Sequence, residues 1–522
     1  MAQGAGVAAL LSAIAMAPAC GAKTDPVILD VATDAAPPVD APQCTADAEC
    51  DGFGDRCVPV ACIGGRCTDL PAKDCDDHDA CTKDDCDSTT GACSHVPSTP
   101  DVDGDGHRAP LPGHVAADAG SCGDDCNDAD PSIHPGAKDT CSKDNNCDGK
   151  IDPFHYVPAD ATMDARRLSG EIAPVDPSGV AWSGDAYMTA YTGTPASKYR
   201  VYTSRLDPKG VPLAPESQFV DITADSVGGS VVWTGAQYGI MWSDRRADWE
   251  TYFNRMNAKG EKLGPDVRVS DPDPSWSLGT SLVWTGTEYV IAWQDQRDLS
   301  PDFTIYAQRL DDRGSLVGAN VKLDDVQGES PSAAVGTGTI GISWTHTDGA
   351  SHSIWMAVFD RTLKKLSKSI ELTTSGLSGR DARVVWSKKG YVVAWYDPDS
   401  SLHAVYGAII DEKGAIVVAP KKLTDSARYS RYPDLLPYGD HVLLVWSDTK
   451  DGNKGYELYS KLLDDTLASV DTEQRLTNAI GDSVFPVASS GPDGEVGVLF
   501  RDDRTGAPHV YFTRLVCETK SK

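Results

Sequence analysis

Val231-Val232-Trp233-Thr234-Gly235-Ala236-Gln237-Tyr238-Gly239-Ile240-Met241-Trp242 recurs three more times with small changes. The copies read VAWSGDAYMTAY at 180–191, LVWTGTEYVIAW at 282–293 and VVWSKKGYVVAW at 384–395. Each is an apolar run, a short polar turn carrying Gly, and a second apolar run closed by an aromatic residue. Two short strands joined by a tight turn satisfy that pattern, because Gly supplies the backbone angles such turns need. The closing aromatic continues as Tyr191, Trp242, Trp293, Trp344, Trp395, Trp446 and Phe500, at separations of 51, 51, 51, 51, 51 and 54 residues. A second aromatic position gives Trp182, Trp233, Trp284 and Trp386.

The rest of each period has room for two more strands. Tyr199 to Leu206, Ile305 to Leu310 and Val510 to Leu515 read as third strands. Turns such as Asp207-Pro208-Lys209-Gly210 and Asp411-Glu412-Lys413-Gly414 follow, and fourth strands end in Lys422-Leu423-Thr424 or Arg475-Leu476-Thr477. Four strands in about 50 residues are the unit of a β-propeller, since a lone blade cannot bury its faces and must stack on its neighbours. Seven periods predict an all-β, seven-bladed β-propeller over 160–518. The last unit reaches Cys517 with only three strands, while Arg167-Leu168-Ser169 matches the fourth-strand motif. Residues around 162 to 169 are therefore expected to complete the last blade and hide its edge. The recurring aromatics are expected to be core between blades.

Upstream of the repeats the composition changes. The chain has 522 residues, with 47 Lys+Arg against 77 Asp+Glu and a formal charge of −30, which excludes a basic nucleic-acid binder. Thirteen of its 15 cysteines lie between Cys44 and Cys147. Residues 1–20 read as a signal peptide: Gly4 to Ala19 is an uncharged apolar run, too short for a membrane span. It ends in Ala17-Pro18-Ala19-Cys20-Gly21, which resembles a bacterial lipobox; the resemblance implies lipidation of Cys20. Residues 21–43 form a Pro/Ala/Asp tether that cannot bury a core. Residues 44–97 hold nine cysteines and little apolar bulk, so disulfides are expected to hold them together. Zinc is the poorer reading, because no C-x-x-C pair occurs there. If every cysteine after Cys20 pairs, Cys517 joins the odd cysteine of that first group.

Residues 98–155 carry a metal-binding pattern. Asp101, Asp103 and Asp105, with Gly106 next, repeat the first half of an EF-hand-like calcium loop, where alternate oxygens converge on a hard cation. Asp144, Asn146 and Asp148, then Gly149, the Lys150 carbonyl and Asp152, do so again. Position 12, normally a bidentate Glu, is Pro112 in the first loop and His155 in the second. The acidic stretch Asp124, Asp125, Asn127, Asp128 and Asp130 is the natural donor of the missing oxygens. His107 adds one imidazole beside the first loop. Ca2+ at extracellular-module affinity, on the order of 10⁻⁴ to 10⁻³ M, is the expected cofactor.

The span DVDGDG…CGDDCNDADPSIHPGAKDTCSKDNNCDGKID resembles the metal-binding motif of the MopE-like family, through Asp125-Cys126-Asn127-Asp128, Pro135-Gly136-Ala137, Cys141 and Asp144 to Asp152. The family label implies Cu. Copper prefers imidazole and sulfur, and His107, His134 and His155 would have to converge to hold it.

Two residues after the closing aromatic stand Asp244, Asp295, Asp397, Asp448 and Asp502, with Arg246, Arg297 and Arg504 following in three units. They are a candidate polar ring on one propeller face, or aspartates that accept hydrogen bonds from their own turns; the second reading is favoured. Gly336-Thr337-Gly338-Thr339-Ile340-Gly341 spells a nucleotide-loop pattern but lies in a hairpin with no helix after it. No H-E-x-x-H, G-x-S-x-G or P-loop motif occurs, nor the S-x-D-x-G-x-T-W repeat of sialidase-like enzymes. The expectation is a non-enzymatic, monomeric binding or scaffold protein for a protein or glycan ligand. It would be exported to the cell envelope and held at an outer membrane or cell surface by its lipid alone. A propeller-type glycosidase or lyase is the first alternative, and a copper-binding surface protein the second.

Overall fold

A computed structural model describes residues 43–519, apart from 53–54, 113, 116–119, 138–143, 149–153, 161–162, 164, 171–173, 222, 299–301, 350, 374–376, 400–402, 426–428, 451 and 453–454. The signal peptide, Cys20 and most of the tether lie outside the described residues. The chain divides into two compact units, up to Ser98 and from Thr99 onward.

The first unit is held by sulfur. Disulfides join Cys44 to Cys62, Cys50 to Cys67, Cys57 to Cys86 and Cys75 to Cys93. Two hairpins, Val60–Ile63 with Arg66–Asp69 and Thr82–Cys86 with Cys93–Pro97, are its only strands among the described residues. Its buried apolar residues are Cys44, Cys50 and Cys57, which is why covalent links replace a hydrocarbon core here. Cys81, Cys122 and Cys517 are also disulfide-bonded, so Cys517 is not a free thiol.

The second unit contains seven antiparallel sheets, the blades expected from the period. The second blade shows the pattern: Ser226–Trp233, Tyr238–Asp244, Glu250–Met256 and Val267–Arg268, in chain order across the sheet. Trp233 pairs with Tyr238 across the Gly235 turn, where φ is 94°. The turn after the third strand is bracketed by its aspartate: Asp411 Oδ1 accepts from the Lys413 and Ala415 N–H groups, at 2.9 and 2.8 Å. Gly336 to Thr339 is a hairpin turn between Glu329–Val335 and Thr339–Asp348, as its setting predicts.

All seven closing aromatics are at most 1% exposed. Each of Tyr191, Trp242, Trp293, Trp395, Trp446 and Phe500 lies beside a tyrosine of the third strand, for example Trp242 on Tyr252 with centroids 6.0 Å apart. The second set packs on the next strand, as Trp233 on Tyr238 at 4.6 Å. The C-terminal ends of all seven inner strands surround one cavity of about 480 Å³, lined by Trp182, Trp233, Trp284 and Trp386 among others. This is one mouth of the central channel.

The ring closes through the segment upstream of the first blade. The inner strand of the last blade, Ser483–Ser490, packs against that of the first, Pro174–Trp182. Arg166–Arg167 pairs with Tyr511 and Phe512, and Val510 N–H donates to Ser169 Oγ at 3.2 Å, as Leu458 N–H donates to Thr477 Oγ1 within the sixth blade. A second strand was not expected. Phe154–Pro158 pairs with Leu515 to Thr519, so these residues belong to the last blade's sheet and not to the metal-binding stretch that the sequence assigned up to 155. The last strand outruns its repeat, and its extension needs a partner.

Candidate metal centre

Convergence begins with the backbone of residues 99–125. Leu111 N–H donates to the Ser121 carbonyl at 2.7 Å, and Asp125 N–H donates to the Arg108 carbonyl at 3.1 Å. Gly123 sits so close that a Cβ there would fall 2.1 Å from the Ala109 oxygen. Thr99 Oγ1 holds the Cys122 carbonyl at 3.1 Å. The return segment thus lays Asp125 against the loop that begins at Asp101.

The carboxylates accept from local turns, Asp101 with both oxygens and Asp103, Asp105 and Asp125 with one each. Asp101 Oδ1 accepts from Gly104 N–H at 2.7 Å, and its Oδ2 from Gly106 N–H at 3.1 Å. Asp103 Oδ1 accepts from Asp105 N–H at 3.3 Å, Asp105 Oδ1 from His107 N–H at 2.8 Å, and Asp125 Oδ1 from Asn127 N–H at 2.7 Å. Gly104 and Gly106 have φ of 82° and 98°, angles that let the loop curl around its own oxygens. The second oxygens of Asp103, Asp105 and Asp125 are buried and have no hydrogen-bond partner.

Those oxygens meet. One oxygen from each of Asp103, Asp105 and Asp125 lies within 4.8 Å of the others, and the same holds for Asp101, Asp103 and Asp128. Asp125 is fully buried. Burial, with the charges of Asp105, Asp103 and Asp128, raises its carboxyl above the usual range, although the Asn127 N–H pulls the other way. Buried carboxylate oxygens without a donor, set among like charges, favour a positive charge beside them, and a hard cation with oxygen ligands supplies one.

The remaining predicted residues divide by role. Asp128 Oδ1 also accepts from Val102 N–H at 2.9 Å, tying the donor stretch to the loop. Asp124 lies 3.0 Å from His107 Nδ1, and that hydrogen bond raises the imidazole's pKa. The Asn127 backbone carbonyl and Asp130 Oδ1 accept from N–H groups of short turns. Asp144, Asn146 and Asp148 form a separate loop: Asp148 N–H donates to Asn146 Oδ1 at 3.0 Å and to Asp144 Oδ1 at 3.2 Å. The Cys126–Cys147 disulfide ties that loop to the donor stretch. Lys150 and Asp152 lie outside the described residues. The His107 and His134 rings stack 5.0 Å apart, while His155 pairs with Glu518 in the propeller seam. Asp77, Asp84 and His95 form another close group, in the first unit, where His95 Nδ1 is 2.6 Å from Asp84 Oδ1.

The five aspartates offered as a candidate polar ring are buried, at 0 to 1% exposure, and do not present a ring to solvent; they follow the favoured reading. Each Oδ1 accepts from the N–H two residues on: Arg246, Arg297, Asp399, Lys450 and Arg504, at 2.8 to 3.2 Å. Asp244, Asp295 and Asp448 also accept from the indole N–H of the preceding tryptophan. Their register repeats because the turn repeats.

Sequence reasoning missed a group at the opposite end of the channel. Asp176, Asp381, Arg383, Tyr432 and Phe485 line a cavity of about 210 Å³. The available signal was local. Tyr432-Pro433 and Phe485-Pro486 stand at the step in the inner strand where the second blade has Gly228-Gly229.

Residues 125–153 match the family model "Cu-binding_MopE: Putative metal-binding motif". Protein psiF of Dictyostelium discoideum is 45% identical over 51 residues, 10% of this chain and 7% of that protein, so the chain spans less than a tenth of that relative's length. Among solved structures, a protein of unknown function from Dyadobacter fermentans is similar over 68% of this chain and 97% of its own, at 13% identity and TM-score 0.44. A polysaccharide lyase of family PL25, an ulvan lyase, is similar over 68% and 94%, at 10% identity and TM-score 0.45. The chain is thus similar to metal-motif proteins over one short, cysteine-linked segment.

Proposed function

We propose that the chain is an exported binding or scaffold protein in which a calcium-stabilised, cysteine-rich region precedes a propeller that serves as the ligand-binding platform. The carrying observation is the trio of buried, unpartnered oxygens on Asp103, Asp105 and Asp125. An all-oxygen set favours calcium over copper, which would draw on imidazole or sulfur; the nearby cysteines 126 and 147 are joined to each other. Thirteen disulfide-bonded cysteines support an oxidising compartment. Among the described residues no helix is long and apolar enough to cross a membrane. The anchor we propose is the lipid on Cys20; incorporation of labelled palmitate that persists in Cys20→Ala would refute it. The ligand would be a protein or glycan, and the chain a monomer.

Calcium is expected to raise the stability of the 99–148 region by about 1–3 kcal/mol at 10 mM ion, given a Kd on the order of 10⁻⁴ to 10⁻³ M. Differential scanning calorimetry across a calcium titration reads this directly. Asp103→Asn and Asp125→Asn should abolish the increment and leave the propeller transition in place. No calcium bound in equilibrium dialysis, or Cu2+ bound in its stead, would overturn the assignment.

A second reading, a propeller-type glycosidase or lyase, is favoured by one observation. Asp176, Asp381, Asp434, Arg383 and Arg501 gather unsymmetrically around one end of the channel, and burial pushes Asp434 up to about 6.

A further inference from the structure

The sevenfold repetition breaks at the channel end away from the tryptophans. Each inner strand steps through a bulge there, and the second blade fills the step with Gly228 and Gly229, at φ of 91° and 127°. The fourth to seventh blades fill it with Ser330, Asp381, Tyr432 and Phe485, at 50°, 50°, 52° and 57°, the last three of which line one recess. Left-handed backbone is costly for bulky side chains, and a following proline restricts it further, as Pro433 and Pro486 do here. Glycine would relieve that strain. Side chains kept against it point to use.

Asp381, Tyr432 and Phe485 build that recess together. The Tyr432 and Phe485 rings lie 4.0 Å apart and form an aromatic wall that is half-buried. Arg501 stands 4.6 Å over the Phe485 ring and 3.2 Å from Asp176. Arg383 is 44% exposed, with its nearest carboxylate, Asp434, at 3.7 Å. The wall offers a π-face, Asp176 and Asp381 only accept hydrogen bonds, and the two guanidiniums only donate. A sugar ring fits that combination: its C–H face lies on an aromatic ring, and its hydroxyls both donate and accept. Carboxylates and guanidiniums offset one another, so the recess favours neither anion nor cation. At about 210 Å³ it suits a single ring, not a protein loop.

We propose that this recess binds one neutral sugar unit of a glycan. The proposal rests on the binding-platform reading and specifies its ligand class. The test uses the full exported chain and four neutral probes (maltohexaose, cellohexaose, xylohexaose and mannohexaose), with hexagalacturonate as the acidic comparison. Binding is read by saturation-transfer NMR and titration of intrinsic fluorescence. At least one neutral hexaose should bind. Its Kd should rise tenfold or more in Tyr432→Gly and in Phe485→Gly, while Tm holds or increases because the strain is relieved. Arg383→Met, at an exposed position, should weaken binding, with a small loss of Tm because buried Asp434 loses its nearby cation. Shortening of a bound hexaose would still support the site and would decide for the enzyme reading. No binding by any neutral probe, binding of hexagalacturonate alone, or unchanged affinity in all three variants would overturn it. A protein ligand captured by a chain that ignores every sugar would sink this inference while leaving the platform reading intact.

Discussion

Asp434 lies in the inner strand of the sixth blade and is 8% exposed. Its Oδ2 accepts from Ala488 N–H of the next blade at 2.7 Å, and Arg383 Nε is 3.7 Å from its Oδ1. Burial is the largest influence and raises the carboxyl to about 6; Arg383 and two backbone N–H groups oppose it without prevailing. In the unfolded chain the same group titrates near 3.9. Between those values the folded state binds more protons than the unfolded state, so stability falls as pH rises from about 4 to 6 and then levels off. Asp434→Asn keeps an acceptor for Ala488 and removes the charge. It should therefore add about 2–3 kcal/mol at pH 7.5 and almost nothing at pH 4. Urea midpoints at the two pH values measure this, and an equal effect at both would contradict it. Nothing in Ser430-Arg431-Tyr432-Pro433-Asp434 announces the perturbation. It arises from burial in the assembled ring, which no local pattern encodes. The metal loop is the opposite case: its alternate aspartates and Gly106 were readable because the ligand spacing is itself a sequence spacing. Asp125 was readable only as one of an acidic stretch, because the close approach at Gly123 selects it.

The repeating element is a bracket around a buried aspartate. In the third blade Asp295 accepts from Trp293 Nε1 at 2.7 Å, Ser277 Oγ at 2.8 Å, and Arg297 N–H and Nε at 2.9 Å each. The Arg297 guanidinium then lies 4.3 Å over the Tyr306 ring. Burial alone would raise the Asp295 carboxyl, but Arg297 and Trp293 more than offset it and hold it below the usual range. The second and seventh blades repeat this with Arg246 on Tyr252 and Arg504 on Tyr511, and the sixth uses Lys450 on Tyr459. Removing the carboxylate strands an indole, a hydroxyl and a cation together. Asp295→Ala should cost about 3–5 kcal/mol, as for breaking a buried ion pair, and Arg297→Ala about 1–3 kcal/mol. Chemical denaturation of the two variants gives the comparison; equal, small losses would show that the bracket is ornament on a hydrophobic blade. The Asp and Arg were visible because they follow Trp at fixed offsets on one strand. The tyrosine was not, since the loop between second and third strands varies and Tyr252 and Tyr306 fall 10 and 13 residues after their tryptophans.

Closure decides whether the blades act as one body. Tyr156 is fully buried in the last blade's core, edge-on to Tyr438 at 5.2 Å, and both hydroxyls donate to the Gly494 carbonyl, at 2.9 and 2.8 Å. Phe154–Pro158 and Arg166–Arg167 cover the outer strand His509–Thr519, which would otherwise offer unpaired N–H and C=O groups to another chain. Arg167-Leu168-Ser169 was legible as the missing strand because it repeats a motif; Phe154–Pro158 was not, because no other blade has its like. Two truncations separate the seam from the rest. A chain starting at Thr99 loses the disulfide-linked first unit and should keep the propeller's transition within about 2 °C, because every residue of the blades' hydrophobic clusters lies from Tyr156 onward. A chain starting at Gly170 loses both covering segments. It should aggregate or melt without cooperativity, since the last blade is left with an open edge and a cavity where Tyr156 stood. Calorimetry and size-exclusion chromatography on the two chains read the contrast. A monomeric Gly170 chain melting with the Thr99 chain would mean that the inner strands alone shut the ring, and that Phe154–Pro158 is held by the propeller without helping to hold it.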